Sequence, residues 1–184
     1  LVVIDFDINL GDKAKIKKIS FIGNKIFKDK KLKRLIASTE YKFWKFISGR
    51  KYLNPSLAEL DIRLLRNFYL NNGYYNVKIN STFAKLINNN EFELIFNIDA
   101  NNKVFFGDLK LHLPIDFEKE DFYEIENLFK KIKAEPYSIN LIEKILDEID
   151  QITSSEQYQF IKATVIEDLT DNQLNLTFKI NETK

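Results

Sequence analysis

Three stretches of the chain carry one pattern. Phe92-Glu93-Leu94-Ile95-Phe96-Asn97-Ile98-Asp99 alternates apolar and mostly polar residues with a period of two, the signature of a half-buried strand. Val2-Val3-Ile4-Asp5-Phe6-Asp7-Ile8-Asn9 and Leu174-Asn175-Leu176-Thr177-Phe178-Lys179-Ile180-Asn181 repeat it. In each, an aliphatic residue, a Phe and an Ile share one face, and the stretch ends in Asn or Asp. The pattern predicts a closing strand for each of three modules: residues 1–10 as the last strand of a preceding module, 11–100 as one module and 101–184 as the next. Leu94 and Leu176 lie 82 residues apart (176 − 94), too far for a solenoid repeat and right for tandem small domains.

Within the first module, Ile16–Ile22 reads as a strand stopped by Gly23-Asn24, since both residues tolerate the left-handed backbone region. Asp29 is the expected cap of a short helix through Ala37, with Leu32, Leu35 and Ile36 facing the core. The connection 38–53 carries Tyr41, Phe43, Trp44, Phe46 and Tyr52, and a loop so aromatic is expected to fold back mostly over the core, with the alternative that part of it is exposed for binding. Asn54-Pro55 opens a second helix with Leu57, Leu60, Leu64, Leu65 and Phe68 inward, ended by Asn72-Gly73. Tyr75–Phe83 alternates as a strand, with Lys78, Asn80 and Thr82 on its polar face, and Asn88-Asn89-Asn90 turns it into the closing strand.

The second module repeats the order. Val104–Leu113 is a strand. Phe122, Ile125, Leu128, Phe129 and Ile132 mark one helix, and Ile142, Ile145, Leu146, Ile149 and Ile152 the next, led in by Tyr137-Ser138. Phe160–Ile166 and Leu174–Ile180 form a hairpin around Asp171-Asn172. Each module is thus β-α-α-β-β, an α+β fold with a three-stranded mixed sheet packed on two antiparallel helices. The linker Ala100-Asn101-Asn102 is short and lacks Gly and Pro, which predicts a restricted hinge.

Composition narrows the function. No apolar run approaches the roughly 20 residues of a spanning helix. The N-terminus opens in mid-strand and shows no targeting segment, so the chain reads as a piece of a longer one. The absence of Cys removes disulfides, thiolate metal sites and a Cys nucleophile. The net charge of +1 hides a basic stretch from Lys13 to Lys51 and an acidic lean from Asp116 to Glu167. The basic half would suit nucleic acid or an acidic membrane surface, or is simply a solvated Lys-rich face. The one His, His112, alternates with Leu111 and Leu113 in a strand and has no second His to share a metal. Acidic groups such as Glu118/Glu120/Asp121 and Asp147/Glu148/Asp150 sit at helix starts or on solvent faces. No Gly-rich phosphate loop and no nucleophile elbow is present, so neither catalysis nor a cofactor or metal is expected. The element order resembles an RNA-binding KH module, but the GXXG clamp is missing: Gly49 is the single glycine between the helices.

What remains is a sheet edge. A three-stranded sheet has two edge strands whose open N–H and C=O groups can take a strand from another chain. The same edge could equally be blunted by Lys78 and Lys85.

Gly11-Asp12-Lys13-Ala14-Lys15-Ile16, Ile19-Ser20-Phe21-Ile22-Gly23-Asn24 and Phe27 resemble the opening of a POTRA (polypeptide-transport-associated) domain. Gly49-Arg50-Lys51-Tyr52, Leu57 and Leu65–Tyr74 resemble the middle of such domains in the BamA family of outer-membrane β-barrel assembly factors. Trp44 and its aromatic neighbours are similar to the third domain of that five-domain array, which makes the next module the fourth. In the second module Pro114-Ile115 replaces Gly23-Asn24, and Ser154-Ser155-Glu156-Gln157-Tyr158 replaces Gly73-Tyr74. The resemblance implies a non-enzymatic periplasmic arm attached to the outer membrane through its own C-terminal barrel. Its implied partners are unfolded outer-membrane proteins and accessory lipoproteins, with no nucleic acid. It also implies that the second strand of each module is the receiving edge: Tyr75, Val77, Ile79, Ser81 and Phe83, then Phe160, Lys162, Thr164 and Ile166. The POTRA region of a two-partner secretion transporter or of a division protein is the alternative within the same resemblance.

Overall fold

A computed structural model of the chain describes residues 13–42, 49–88, 90–155 and 161–182. The expected strand at 1–10, the aromatics Phe43, Trp44 and Phe46, and Phe160 lie outside them. The strands are β1 (Lys15–Asn24), β2 (Lys78–Asn88), β3 (Glu91–Asp99), β4 (Phe105–His112), β5 (Ile161–Thr170) and β6 (Gln173–Glu182). The helices are α1 (Asp29–Leu35), α2 (Pro55–Leu70), α3 (Tyr123–Ile132) and α4 (Ile139–Ser155). Two mixed three-stranded sheets result, in the orders β1-β3-β2 and β4-β6-β5, each with its closing strand in the middle. By contacts the chain divides into two units: the described residues to Leu65 with Ile79–Asp99, and Arg66–Lys78 with the described residues from Ala100 on.

In the first unit β1 runs parallel to β3. The alternating apolar positions Ile16, Ile19 and Phe21 meet Leu94, Phe96 and Ile98, and all six are buried. Phe21 stacks on Phe96 with ring centroids 5.5 Å apart. Leu32, Ile36 and Leu65 cover this face from the helices. Gly23 has φ +88, and a Cβ there would collide with the Ile98 carbonyl, so the strand end expected from Gly23-Asn24 rests on real close packing.

Three local expectations are corrected. Asp29 does not cap α1: Lys28 holds that position, and the Asp29 carboxylate pairs with Lys25 Nζ instead. The helix ends at Leu35 rather than Ala37, because the Ala37 and Ser38 N–H groups turn to Asp61 Oδ1 at 2.6 and 3.2 Å. Leu64 is 38% exposed, and the inward stripe of α2 runs through Asp61, Leu65 and Tyr69. The Asn54 cap is as expected, its Oδ1 accepting from Ser56 N at 3.0 Å and Leu57 N at 3.3 Å.

In the second unit β4 runs parallel and β5 antiparallel to β6. Leu174, Leu176, Phe178 and Ile180 face Ile125, Phe129, Ile132, Ile142, Ile145 and Ile149, all buried. Phe129 stacks on Phe178 at 5.3 Å. Asp171 and Asn172 both have positive φ, 50° and 62°, as a two-residue type I′ hairpin requires. Asn71 fastens the start of α4: its Oδ1 accepts from Ser138 Oγ at 2.7 Å and Asn140 N at 2.9 Å.

Both first strands carry the same irregularity. β1 shifts register between Ile16 and Lys18, and β4 between Phe106 and Leu109, so one extra residue stands before the positions opposite Leu94 and Leu176. In β4 the extra space is filled by Asn175, whose Oδ1 accepts the Asp108 N–H at 2.8 Å. A Cβ on Gly107 would collide with that oxygen.

Asp61 is wholly buried and accepts from the backbone N–H groups of Ala37 and Ser38. Removing an acceptor of this kind strands buried N–H groups at about 1–3 kcal/mol. Asp61→Ala is therefore expected to lower unfolding stability by about 2 kcal/mol in urea titration, and Asp61→Asn, which keeps an acceptor, by clearly less.

Candidate partner-binding margins

A strand directs the backbone of successive residues alternately to its two sides, so every edge strand has a known set of outward groups. In β1 these are the residues whose side chains face the core, and the chain itself occupies them. Ala14 O accepts from Leu53 N at 2.8 Å, and Ile16 O from Tyr41 N at 2.6 Å. The Ile19 N–H donates to Glu40 Oε1 at 3.0 Å, and Phe21 O accepts from Lys25 Nζ at 2.8 Å. Lys15 also bridges to Tyr52. The two described ends of the aromatic connection, expected to cover the core, are hydrogen-bonded along this margin.

Glu40 is the central part of the seal. Burial pushes its carboxyl up, but the Lys33 ammonium at 2.6 Å and the Ile19 N–H outweigh burial and hold it below its ordinary value.

β4 is sealed over its first part. Phe106 N donates to Glu135 O and Phe106 O accepts from Ala134 N, both at 2.9 Å, while Tyr137 N donates to Val104 O at 2.9 Å. Asp108 pairs with Lys133 at 2.6 Å, and that hydrogen bond holds the Asp108 carboxyl below its ordinary value.

The opposite margins belong to β2 and β5, each of which has one strand neighbour. For β5 the outward set follows from the hairpin. The pair flanking a type I′ turn, Thr170 and Gln173, exchanges both hydrogen bonds, and the unbroken register carries the alternation along the strand. Lys162, Thr164 and Ile166 therefore spend their backbone groups on β6, whereas Ala163, Val165, Glu167 and Leu169 face the margin. The expected residues Lys162, Thr164 and Ile166 lie on this strand, in the phase paired with β6. Ile166 nonetheless presents an exposed side chain.

In the first module the strand starts later than the alternation suggested. Tyr75 and Val77 precede β2. Val77 is 4% exposed, and its N–H donates to Tyr74 O at 3.2 Å, so it offers no open donor. The Tyr75 hydroxyl donates to Glu167, and its ring meets Tyr137 edge-on at 5.0 Å. Bonding to that carboxylate pushes the Tyr75 phenol up to about 12. Ile79, Ser81 and Phe83 lie within β2. Of the linker residues, Ala100 is fully buried, Asn101 donates through Nδ2 to Asn76 O at 2.9 Å, and Asn102 is exposed. Among the described residues no group of His, Asp and Glu is arranged to hold a metal ion, and no helix is long and apolar enough to cross a membrane.

A family model described as POTRA, surface antigen variable number repeat, matches residues 14–101. The chain is 27% identical over 164 residues to the outer membrane protein assembly factor BamA of Neisseria meningitidis, covering 89% of this chain and 20% of that protein. It is 26% identical over 166 residues to BamA of Buchnera aphidicola, covering 90% and 23%. It thus spans about a fifth of the length of the curated relatives it matches. A crystal structure of POTRA domains 3–5 of Haemophilus influenzae BamA has the same fold, with a TM-score of 0.65 at 18% identity over 96% of this chain and 70% of that one. BamA of Haemophilus ducreyi lacking POTRA domains 1–3 gives 0.59 at 14% over 92% and 29%.

The Glu40 seal has a measurable signature. Glu40→Ala is expected to speed hydrogen exchange at the Ile19 amide by about tenfold or more. The folded state holds the Glu40 proton more weakly than the unfolded chain, so its stabilisation is complete above the ordinary value of 4.5 and fades as pH falls through the depressed one. Exchange at Ile19, corrected for its intrinsic pH dependence, should accelerate in that acid window in the parent and not in Glu40→Ala.

Proposed function

We propose, from the premise that residues 14–101 belong to the POTRA family and that the whole chain is similar to the POTRA region of BamA, that it is a non-catalytic binding scaffold of outer-membrane β-barrel assembly. In this reading the two units correspond to the third and fourth domains of the array. They lie in the periplasm and are held at the outer membrane by a barrel beyond this chain. Unfolded outer-membrane proteins and accessory lipoproteins are received as added strands.

The observation that carries the reading is the difference between the margins of each sheet. The β1 margin, and the first part of β4, are closed by the chain's own groups, while β2 and β5 keep one strand neighbour each. Backbone pairing is largely indifferent to side chains, so an edge left open serves many client sequences. The outward residues of β5 are short or flexible enough to admit a neighbour at the usual strand spacing of about 4.8 Å. Its Lys and Thr side chains, at Lys162 and Thr164, belong to the paired phase instead.

Proline distinguishes the two phases. At Val165 it deletes an outward N–H and leaves the ladder to β6 intact; at Thr164 it deletes a ladder bond. Val165→Pro is expected to keep the parent circular dichroism spectrum and to weaken capture of a labelled strand peptide from an unfolded β-barrel protein by about tenfold or more. Thr164→Pro should instead disrupt the hairpin itself. Undiminished capture by folded Val165→Pro would exclude β5 as the receiving strand.

A further inference from the structure

The two first strands are equivalent residue by residue, and this exposes a difference between them. Ile19 stands opposite Leu94 and Leu109 opposite Leu176, each just past the same one-residue bulge. Alternation directs the backbone of both toward the outer margin. In the first unit the Ile19 N–H is taken by the Glu40 carboxylate, which also binds Lys33 from α1. The space around that carboxylate, bounded by Ile19, Lys33 and Glu40, is about 170 Å³.

In the second unit the margin seal, among the described residues, runs as far as Phe106. Among the described residues no side chain of the chain takes the Leu109 N–H. It faces a groove of about 440 Å³ between β4 and α3, floored by Leu109, Leu111 and Phe129. Three lysines, Lys110, Lys130 and Lys133, line the groove against two carboxylates, Asp108 and Glu126, and Asp108 is already paired with Lys133.

We propose that this groove receives an extended segment of a partner polypeptide carrying an acidic side chain. Its carboxylate takes the Leu109 N–H and pairs with Lys130, as Glu40 does with Ile19 and Lys33 inside the first unit. The flanking backbone of the segment meets the outward groups of Leu111. The site is distinct from the β2 and β5 margins and selects by charge as well as by backbone pairing. The occupant is acidic because the chain itself places a carboxylate at the corresponding point of its other unit, and because the groove carries the complementary charge.

The test uses the 184-residue chain and blocked, fluorescein-labelled hexapeptides of alternating Val and Thr with one central Glu, Gln or Lys. Anisotropy should show the Glu peptide binding about tenfold tighter than the Gln peptide, with the Lys peptide weaker still. Lys130→Glu and Lys130→Ala should each remove the Glu preference, and the Glu peptide should shift the Leu109 and Leu111 amide resonances. Lys130 lies on an exposed helical surface, so the Ala variant serves if the charge reversal perturbs folding. Equal binding of the Glu and Gln peptides, an unaltered preference in a folded Lys130 variant, or amide shifts confined to Ala163–Leu169 overturns the proposal. So does sedimentation that shows the groove closed by a second copy, with Lys130→Glu dissolving the dimer and no peptide bound.

Discussion

A sheet of three strands has as much margin as interior, and every other residue along each margin turns an N–H and a C=O away from its neighbours. Such groups must be satisfied by the chain, by water or by a visitor. This constraint organises both units. The chain uses loop backbone, a carboxylate and an ammonium to close the margin of β1. Among the described residues it closes β4 only as far as Phe106. Hydrophobic burial holds the sheets to their helices, but the treatment of the margins separates one unit from the other.

The shared core explains how far the units can diverge and remain the same fold. Leu94, Phe96 and Ile98 recur as Leu176, Phe178 and Ile180, all buried, each set central in its sheet. Phe21 on Phe96 and Phe129 on Phe178 fill the same layer from different elements, a strand in one case and a helix in the other. The fold rests on this frame, and the two units differ in what decorates it. That division is the general one between a fold and the sites grafted onto it.

The frame was legible in the sequence because period-two and helical apolar patterns are local signals. The two closing strands that fall in described residues, the Asn54-Pro55 helix start and the Asp171-Asn172 hairpin appear where the residues placed them. The differences arise from hydrogen bonds, near and far in sequence, that apolar periodicity does not register. Asp61 sits in a helix and looks like a solvated face residue, yet it is buried to satisfy N–H groups 23 and 24 positions away. Tyr75 and Val77 continue the strand alternation, but the Tyr74 carbonyl draws Val77 into a turn. Lys162, Thr164 and Ile166 lie in the phase paired with β6, because phase is set by the turn closure at Thr170 and Gln173. Glu40 carries no compositional mark at all; its role is visible only once Ile19 and Lys33 converge on it.

The bulges at Ile16/Lys18 and Phe106/Leu109 constrain how such modules can change over time. Beyond each one, side-chain direction and backbone direction are both fixed by a count of one residue. The extra residue lets Phe106 and Leu109, three positions apart, share the core face, whereas unbroken alternation from Phe106 would turn Leu109 and Leu111 to solvent and Lys110 and His112 onto the core. Insertions and deletions are thereby confined to connections, such as the 16-residue stretch 38–53, whereas the strands themselves can vary only by exchange of one side chain for another. Repeated units built this way keep their length register long after their sequences have ceased to resemble one another.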